Sequence, residues 1–142
     1  MSITTDRKAE LLGTVGLFEG MGPAELAAVA EQAEEVAFPA GRPIVRQGDI
    51  GTGFYLITVG RTRVVRDGET LAELGPGEFF GELAVLDGMP RTAAVISETA
   101  TTCLAIPSWK LDALLEAQPR VTIALLRGVA RRLRGVTEAH RH

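Results

Sequence analysis

The residues with the clearest chemical potential gather in one stretch, Gly77-Glu78-Phe79-Phe80-Gly81-Glu82-Leu83-Ala84-Val85-Leu86-Asp87-Gly88-Met89-Pro90-Arg91-Thr92-Ala93-Ala94-Val95. An apolar run stops at Gly81, and the pattern after it predicts a short helix over residues 82–86. A helix start carries unpaired N–H groups and a partial positive charge, so it attracts an anion. Gly81 has no Cβ, which lets backbone or ligand approach it closely. A loop with Asp87, Gly88 and Pro90 then delivers Arg91 to the start of a strand. The arginine fork is planar and permanently charged, a match for phosphate or carboxylate. Glu82 adds an acceptor that can hold hydroxyl groups. Anion donors beside a hydroxyl acceptor point to a sugar phosphate. The plainer reading of the same pair is a salt bridge between Glu82 and Arg91 on a loop.

Other chemistries lack the residues they need. The chain has a single cysteine, Cys103, and two histidines, His140 and His142, both at its extreme C-terminus. A disulfide within the chain is excluded, a structural zinc site has no ligand set, and a His-based triad or a cupin-type metal centre has no histidine in the strand-rich region. No metal and no catalytic residue is expected, and the chain is not expected to be an enzyme. The net charge of −3 does not favour nucleic acid. No apolar run approaches the roughly 20 residues that span a bilayer, and residues 1–10 lack the apolar core of a signal peptide. These features predict a soluble cytoplasmic chain with no membrane contact. At 142 residues, 46% of them hydrophobic, a single domain over 1–142 can build a sizeable core.

The elements that must position the chemistry follow from periodicity. Leu11, Leu12, Val15 and Phe18, then Leu26, Val29, Ala30 and Ala33, recur at helical spacing and predict N-terminal helices within about residues 6–33. Pro23 and Glu25 suit the first turn of the second of these. From Val36 the period changes. Val36-Ala37-Phe38, Ile44-Val45, Phe54–Val59, Thr62–Arg66, Thr70–Leu74, Arg91–Ser97 and Thr101–Ile106 are short strand-forming runs. Turns at Gly41, Gly48, Gly60, Gly68 and Gly75 separate them, and Asp67-Gly68 is a strong hairpin signal. Phe79, Phe80 and Cys103 are expected in the core, and Trp109 as a partly buried anchor. After Pro107 the helical period returns, with Ser108 capping a helix that holds Leu111, Leu114 and Leu115. A longer helix over about 120–138 carries a heptad-like stripe, Leu126, Val129, Leu133 and Val136. The fold class is mainly β with flanking helices: an antiparallel β jelly-roll barrel (a double-stranded β-helix) over about 35–106, N-terminal helices, and two C-terminal helices within about 108–138.

With these residues in order, the segment FGELAVLDGMPRTA, Phe80 to Ala93, resembles the phosphate-binding cassette of the cyclic nucleotide-binding domain family, typified by catabolite activator protein and the regulatory subunit of protein kinase A. The likeness extends over nearly the whole chain. FPAGRPIVRQGDIGTGFYLITVGRTRV resembles the family's first strands, and LFEGMGPAEL its N-terminal helical segment. The resemblance implies that Glu82 accepts from the ribose 2′-OH and that Arg91 pairs with the exocyclic phosphate. It implies that backbone N–H groups of Ala84 and Thr92 also reach the phosphate, and that Gly81 and Leu83 line the pocket. The base would lie against Val64 and Leu71. The implied ligand is cAMP; the Thr92 hydroxyl raises cGMP as the alternative. No cofactor is implied.

The resemblance further implies a sensor whose C-terminal helices reposition on binding. The family's transcription factors continue into a helix-turn-helix domain, whereas this sequence ends at His142, so no DNA binding by this chain alone is expected. Output is expected through an unidentified effector protein or a fused output domain. The arginine-rich helix, with Arg120, Arg127, Arg131, Arg132 and Arg134, is either a solvated face or an interaction surface, and its stripe could form a homodimer through residues 120–138. A competing reading makes the chain a protein–protein interaction module with a vestigial pocket.

Overall fold

The computed structural model describes residues 3–50, 53–81 and 91–139. They form two compact units, one of Ile3–Gln32 with the segment from Leu111 onward, the other of Ala33–Lys110.

The strand-rich unit holds β1 (Glu34–Phe38), β2 (Pro43–Val45), β3 (Gly53–Val59), β4 (Thr62–Arg66), β5 (Glu69–Leu74), β6 (Phe79–Phe80), β7 (Ala94–Ser97) and β8 (Thr101–Pro107). They pair antiparallel in two four-stranded sheets, β1-β8-β3-β6 and β2-β7-β4-β5. Among the described residues successive strands alternate between the sheets, and only β4 and β5 are consecutive neighbours. That exception is the hairpin at Asp67-Gly68, where φ is +52° and +80°, the twist that two-residue hairpins require. This is the jelly-roll arrangement.

Apolar positions of both sheets meet in a core of Ile57, Phe80, Val95 and Cys103, with Phe38, Ile44, Val45, Tyr55, Val64 and Leu74 packed against it. Full burial of an aliphatic side chain contributes about 1.5–3 kcal/mol. Burial pushes the Cys103 thiol from its ordinary 9.0 up to about 12. Ionisation above pH 9 is therefore open to the unfolded chain first. The stability that depends on the neutral thiol is intact below pH 9 and is lost as pH rises towards 12. Denaturant titrations at pH 8 and pH 10.5 should show wild type losing about 1–2 kcal/mol more than Cys103→Ala between the two. Equal losses would refute the assignment.

Several boundaries differ from the sequence expectation. Arg91–Ala93 precedes β7 rather than belonging to it, because the Arg91 N–H donates to the Asp49 carbonyl (2.7 Å) and its carbonyl accepts from Gly48 N–H (2.8 Å) instead of joining the ladder. The turn expected at Gly75-Pro76-Gly77 is present: Glu78 N–H donates to the Gly75 carbonyl at 3.1 Å, and Gly77 holds the left-handed backbone at φ +88°. Trp109 is 67% exposed rather than partly buried. Its ring lies under the Lys110 ammonium at 5.4 Å, and that ammonium is paired with Glu34 at 2.6 Å.

In the helical unit, α1 (Thr5–Leu12) is capped by Thr4, whose hydroxyl accepts from Arg7 N–H at 3.2 Å. A 3-10 turn, Gly16–Phe18, leads to α2 (Pro23–Glu31), with Pro23 in its first turn. β8 runs directly into α3 (Ser108–Ala117), and α4 (Pro119–Ala139) follows. Leu12, Val15, Leu17, Phe18 and Val29 are buried in this unit, as are Leu111, Leu114, Val121 and Leu125.

The helix α4 presents a face other than the stripe to its neighbours. Leu126 and Leu133 are 66% and 65% exposed and Val129 is half-buried, while the side chain of Val136 lies outside the described residues. The reason is Gly128. Any Cβ there would sit on the Leu17 carbonyl, so the absence of a side chain lets α4 close onto the 3-10 turn with Val121 and Leu125 inward. Arg131 donates to the Glu19 carbonyl on the same side.

Candidate functional site

Arg91 is 7% exposed. Taking a guanidinium this far out of water costs several kcal/mol unless its donors are engaged. Its Nη2 donates to the Gly53 carbonyl at 2.7 Å, across 38 residues of sequence. The backbone bonds to Gly48 and Asp49 hold the residue from the other side, so both the main chain and the fork of Arg91 have fixed directions.

Gly81 terminates β6 against this group. Its φ is +92°, and a Cβ built there would overlap Arg91 Nη1 and come within 2.6 Å of the Gly53 carbonyl. Glycine is therefore required twice, for backbone conformation and for space. Gly53, Gly81 and Arg91 converge from the start of β3, the end of β6 and the segment before β7.

The aromatic wall beside them is Tyr55. It stacks on Phe80 with ring centroids 5.1 Å apart and meets Phe38 edge-on at 6.4 Å. Burial raises the Tyr55 phenol above its ordinary value; the Arg91 charge lowers it in part, and Cys103 adds a smaller upward push. A cavity of about 350 Å³ lies here, lined by Pro43, Ile44, Val45, Arg46, Asp49, Ile50, Tyr55 and Arg91. That volume lies at the lower end of small-molecule sites. Among the described residues no group of three His, Cys, Asp or Glu converges to hold a metal ion, and no helix is long and apolar enough to cross a membrane.

Of the residues singled out from sequence, Gly81 and Arg91 are brought together. Glu82, Leu83, Ala84 and the expected helix over 82–86 lie outside the described residues. Thr92 directly follows Arg91 and is exposed. Val64 is half-buried on β4 against the core. Leu71 is 48% exposed. A bulge explains its position: Val64 pairs with Ala72 and Val65 with Thr70, which leaves Leu71 as the extra residue of β5. Ala72, rather than Leu71, is opposite Val64. Sequence reasoning missed Gly53, whose carbonyl orients Arg91, and Tyr55. Neither carries a local signal, since both act through contacts made only after the sheets form.

The profile of the cyclic nucleotide-binding domain family matches residues 35–118. The chain belongs to this family. As a cyclic nucleotide-binding domain it is 33% identical over 130 residues to the CRP-like cAMP-activated global transcriptional regulator of Mycobacterium tuberculosis, an alignment covering 88% of this chain and 58% of that protein. It is 38% identical over 90 residues to the cAMP-dependent protein kinase regulatory subunit of Emericella nidulans, covering 62% of this chain and 22% of the relative. Among solved structures, the N-terminal domain of a transcriptional regulator from Streptomyces coelicolor A3(2) superposes with a TM-score of 0.83 at 34% identity, over 93% of this chain and 98% of that one. The chain thus spans little more than half the length of the mycobacterial regulator. In this cyclic nucleotide-binding domain Arg91 is a buried cation fixed by the Gly53 carbonyl, and Gly81 is the position that its guanidinium leaves no room to substitute.

Proposed function

We propose that this chain is a cyclic nucleotide sensor for cAMP that acts through regulation rather than catalysis. In this reading Arg91 pairs with the cyclic phosphate, aided by the Ala84 and Thr92 amides, and Glu82 accepts from the ribose 2′-OH. Gly81 and Leu83 line the pocket, and the base rests towards Val64 and Leu71. The observation that carries the reading is the buried, doubly anchored Arg91 beside Gly81. The two curated relatives described as cAMP-activated and cAMP-dependent support cAMP as the ligand over cGMP. The module works in the cytoplasm on a separate effector or a fused output domain, and it signals when binding repositions the C-terminal helices.

A second reading makes α4 the working surface. Ile123, Leu126 and Leu133 expose an apolar row on one side of it, which fits a homodimer through residues 120–138 or docking of a partner protein. One titration separates the readings. Saturating cAMP, at about 100 times its Kd, stabilises the folded state by about 2.7 kcal/mol and should raise Tm by several degrees. cGMP at the same concentration should raise it less. Light scattering on the same samples reports mass. No shift with either nucleotide would overturn the sensor reading and leave the interaction module.

A further inference from the structure

Two side chains without a role so far lock the ends of two strands together. Gln47 Nε2 donates to Asp67 Oδ1 at 2.9 Å, and Asp67 N–H donates to Gln47 Oε1 at 2.9 Å. The amide is used once as donor and once as acceptor, and Asp67 presents the complement of each. Asp67 also holds a left-handed backbone, φ +52°, unusual for a residue other than glycine.

The sheet register shows what this clip spans. Val45 of β2 pairs with Val95 of β7, and Val65 of β4 pairs with Ala94. The ends of β2 and β4 therefore flank the start of β7, where the chain arrives from Arg91. Gln47 follows β2 by two residues, and Asp67 follows β4 by one. Their clip crosses from one flank of the Arg91–Ala93 segment to the other. On the β2 side the neighbours of Gln47 are Gly48 and Asp49, the two residues that clamp the Arg91 backbone at 2.8 and 2.7 Å.

We propose that Gln47 and Asp67 form a strap that fixes the Arg91–Thr92 segment relative to the β4–β5 hairpin, with Gln47 as a positioning residue for the nucleotide. The inference rests on the proposed function: the strapped segment meets the cyclic phosphate and the hairpin carries Val64 and Leu71. The β4–β7 ladder ends at Val65 and Ala94, so without the strap Arg91 and Thr92 are tied to the hairpin only through that ladder end, and their bound geometry must be ordered further at the moment of binding.

The test uses the reversibility of the pair. Q47E keeps an acceptor for the Asp67 N–H but sets a carboxylate against a carboxylate. Q47E/D67N restores a donor facing an acceptor, and asparagine tolerates the left-handed backbone. One such bond is worth about two- to tenfold in an equilibrium. Calorimetry with cAMP should show Q47A and Q47E weakened about three- to tenfold, and Q47E/D67N back to within about twofold of wild type. Hydrogen exchange of the Arg91 amide in ligand-free protein should quicken in Q47A and Q47E and return in the double variant. A purely structural role would lower the Tm of Q47A and Q47E without moving the Kd for cAMP or the exchange of the Arg91 amide. Unchanged affinity in Q47E, or no recovery in the double variant, overturns the strap. If wild type itself binds no cyclic nucleotide, the proposed function fails on its own, and an unchanged Arg91 amide in Q47A then overturns the strap independently.

Discussion

Arg91→Ala should lower cAMP affinity by between about tenfold and a hundredfold while leaving the ligand-free protein folded. A hydrogen bond to a charged group contributes about 1.5–3 kcal/mol, and a phosphate on a guanidinium engages more than one such donor. Stability should move differently. Wild type already bears the desolvation of a cation that is only 7% exposed. Removing it relieves that burden while it releases the Gly53 carbonyl, so Tm should change by only a few degrees in either direction. Arg91→Lys keeps the charge but loses the planar fork that reaches Gly53, and should recover only part of the affinity. Calorimetry with cAMP and thermal melting of the apo protein give the two readouts. A normal Kd in Arg91→Ala would remove the phosphate role.

Gly81→Ala should damage both quantities at once. A non-glycine residue at φ +92° carries about 1–3 kcal/mol of backbone strain. The added methyl would also lie 2.6 Å from the Gly53 carbonyl and overlap Arg91 Nη1, so the group displaced is the cation itself. Overpacking of this kind adds about 1–3 kcal/mol. The expected result is a Tm lower by on the order of 10 °C, with cAMP binding weakened at least about tenfold. Gly41→Ala isolates the backbone contribution, because Gly41 has φ +78° and nothing within 4 Å of a built Cβ. It should lose about 1 kcal/mol and bind normally. If the two variants behave alike, crowding around Arg91 is not what position 81 controls.

These two variants also mark how far sequence reasoning reaches. The hairpin at Asp67-Gly68 was legible because its requirement is local: two adjacent residues that accept positive φ. Arg91 and Gly81 were legible because an ordered run of glycine, glutamate and arginine is a rare pattern. Leu71 was harder to place. Its side chain would follow Val64 in an unbroken ladder, but the bulge between Val64 and Val65 makes it an unpaired residue of β5. Such a bulge depends on how two strands settle against each other, and no single residue announces it. Trp109 shows the same limit, since a large apolar side chain next to a turn can cover a core or remain 67% exposed under a lysine.

The amino-acid sequence by itself determined the order of helices and strands, the turns, the absence of histidine from the strand-rich region, and the family to which the cassette belongs. Each is written in local periodicity or in one contiguous motif. The tertiary structure decided which distant groups those elements bring to bear. Arg91 finds its acceptor at Gly53, 38 residues away. α4 turns Leu126 and Leu133 outward because Gly128 must approach the backbone of Leu17. A carbonyl and an absent side chain carry no pattern in a sequence, and their importance exists only once packing has brought the chain back onto itself.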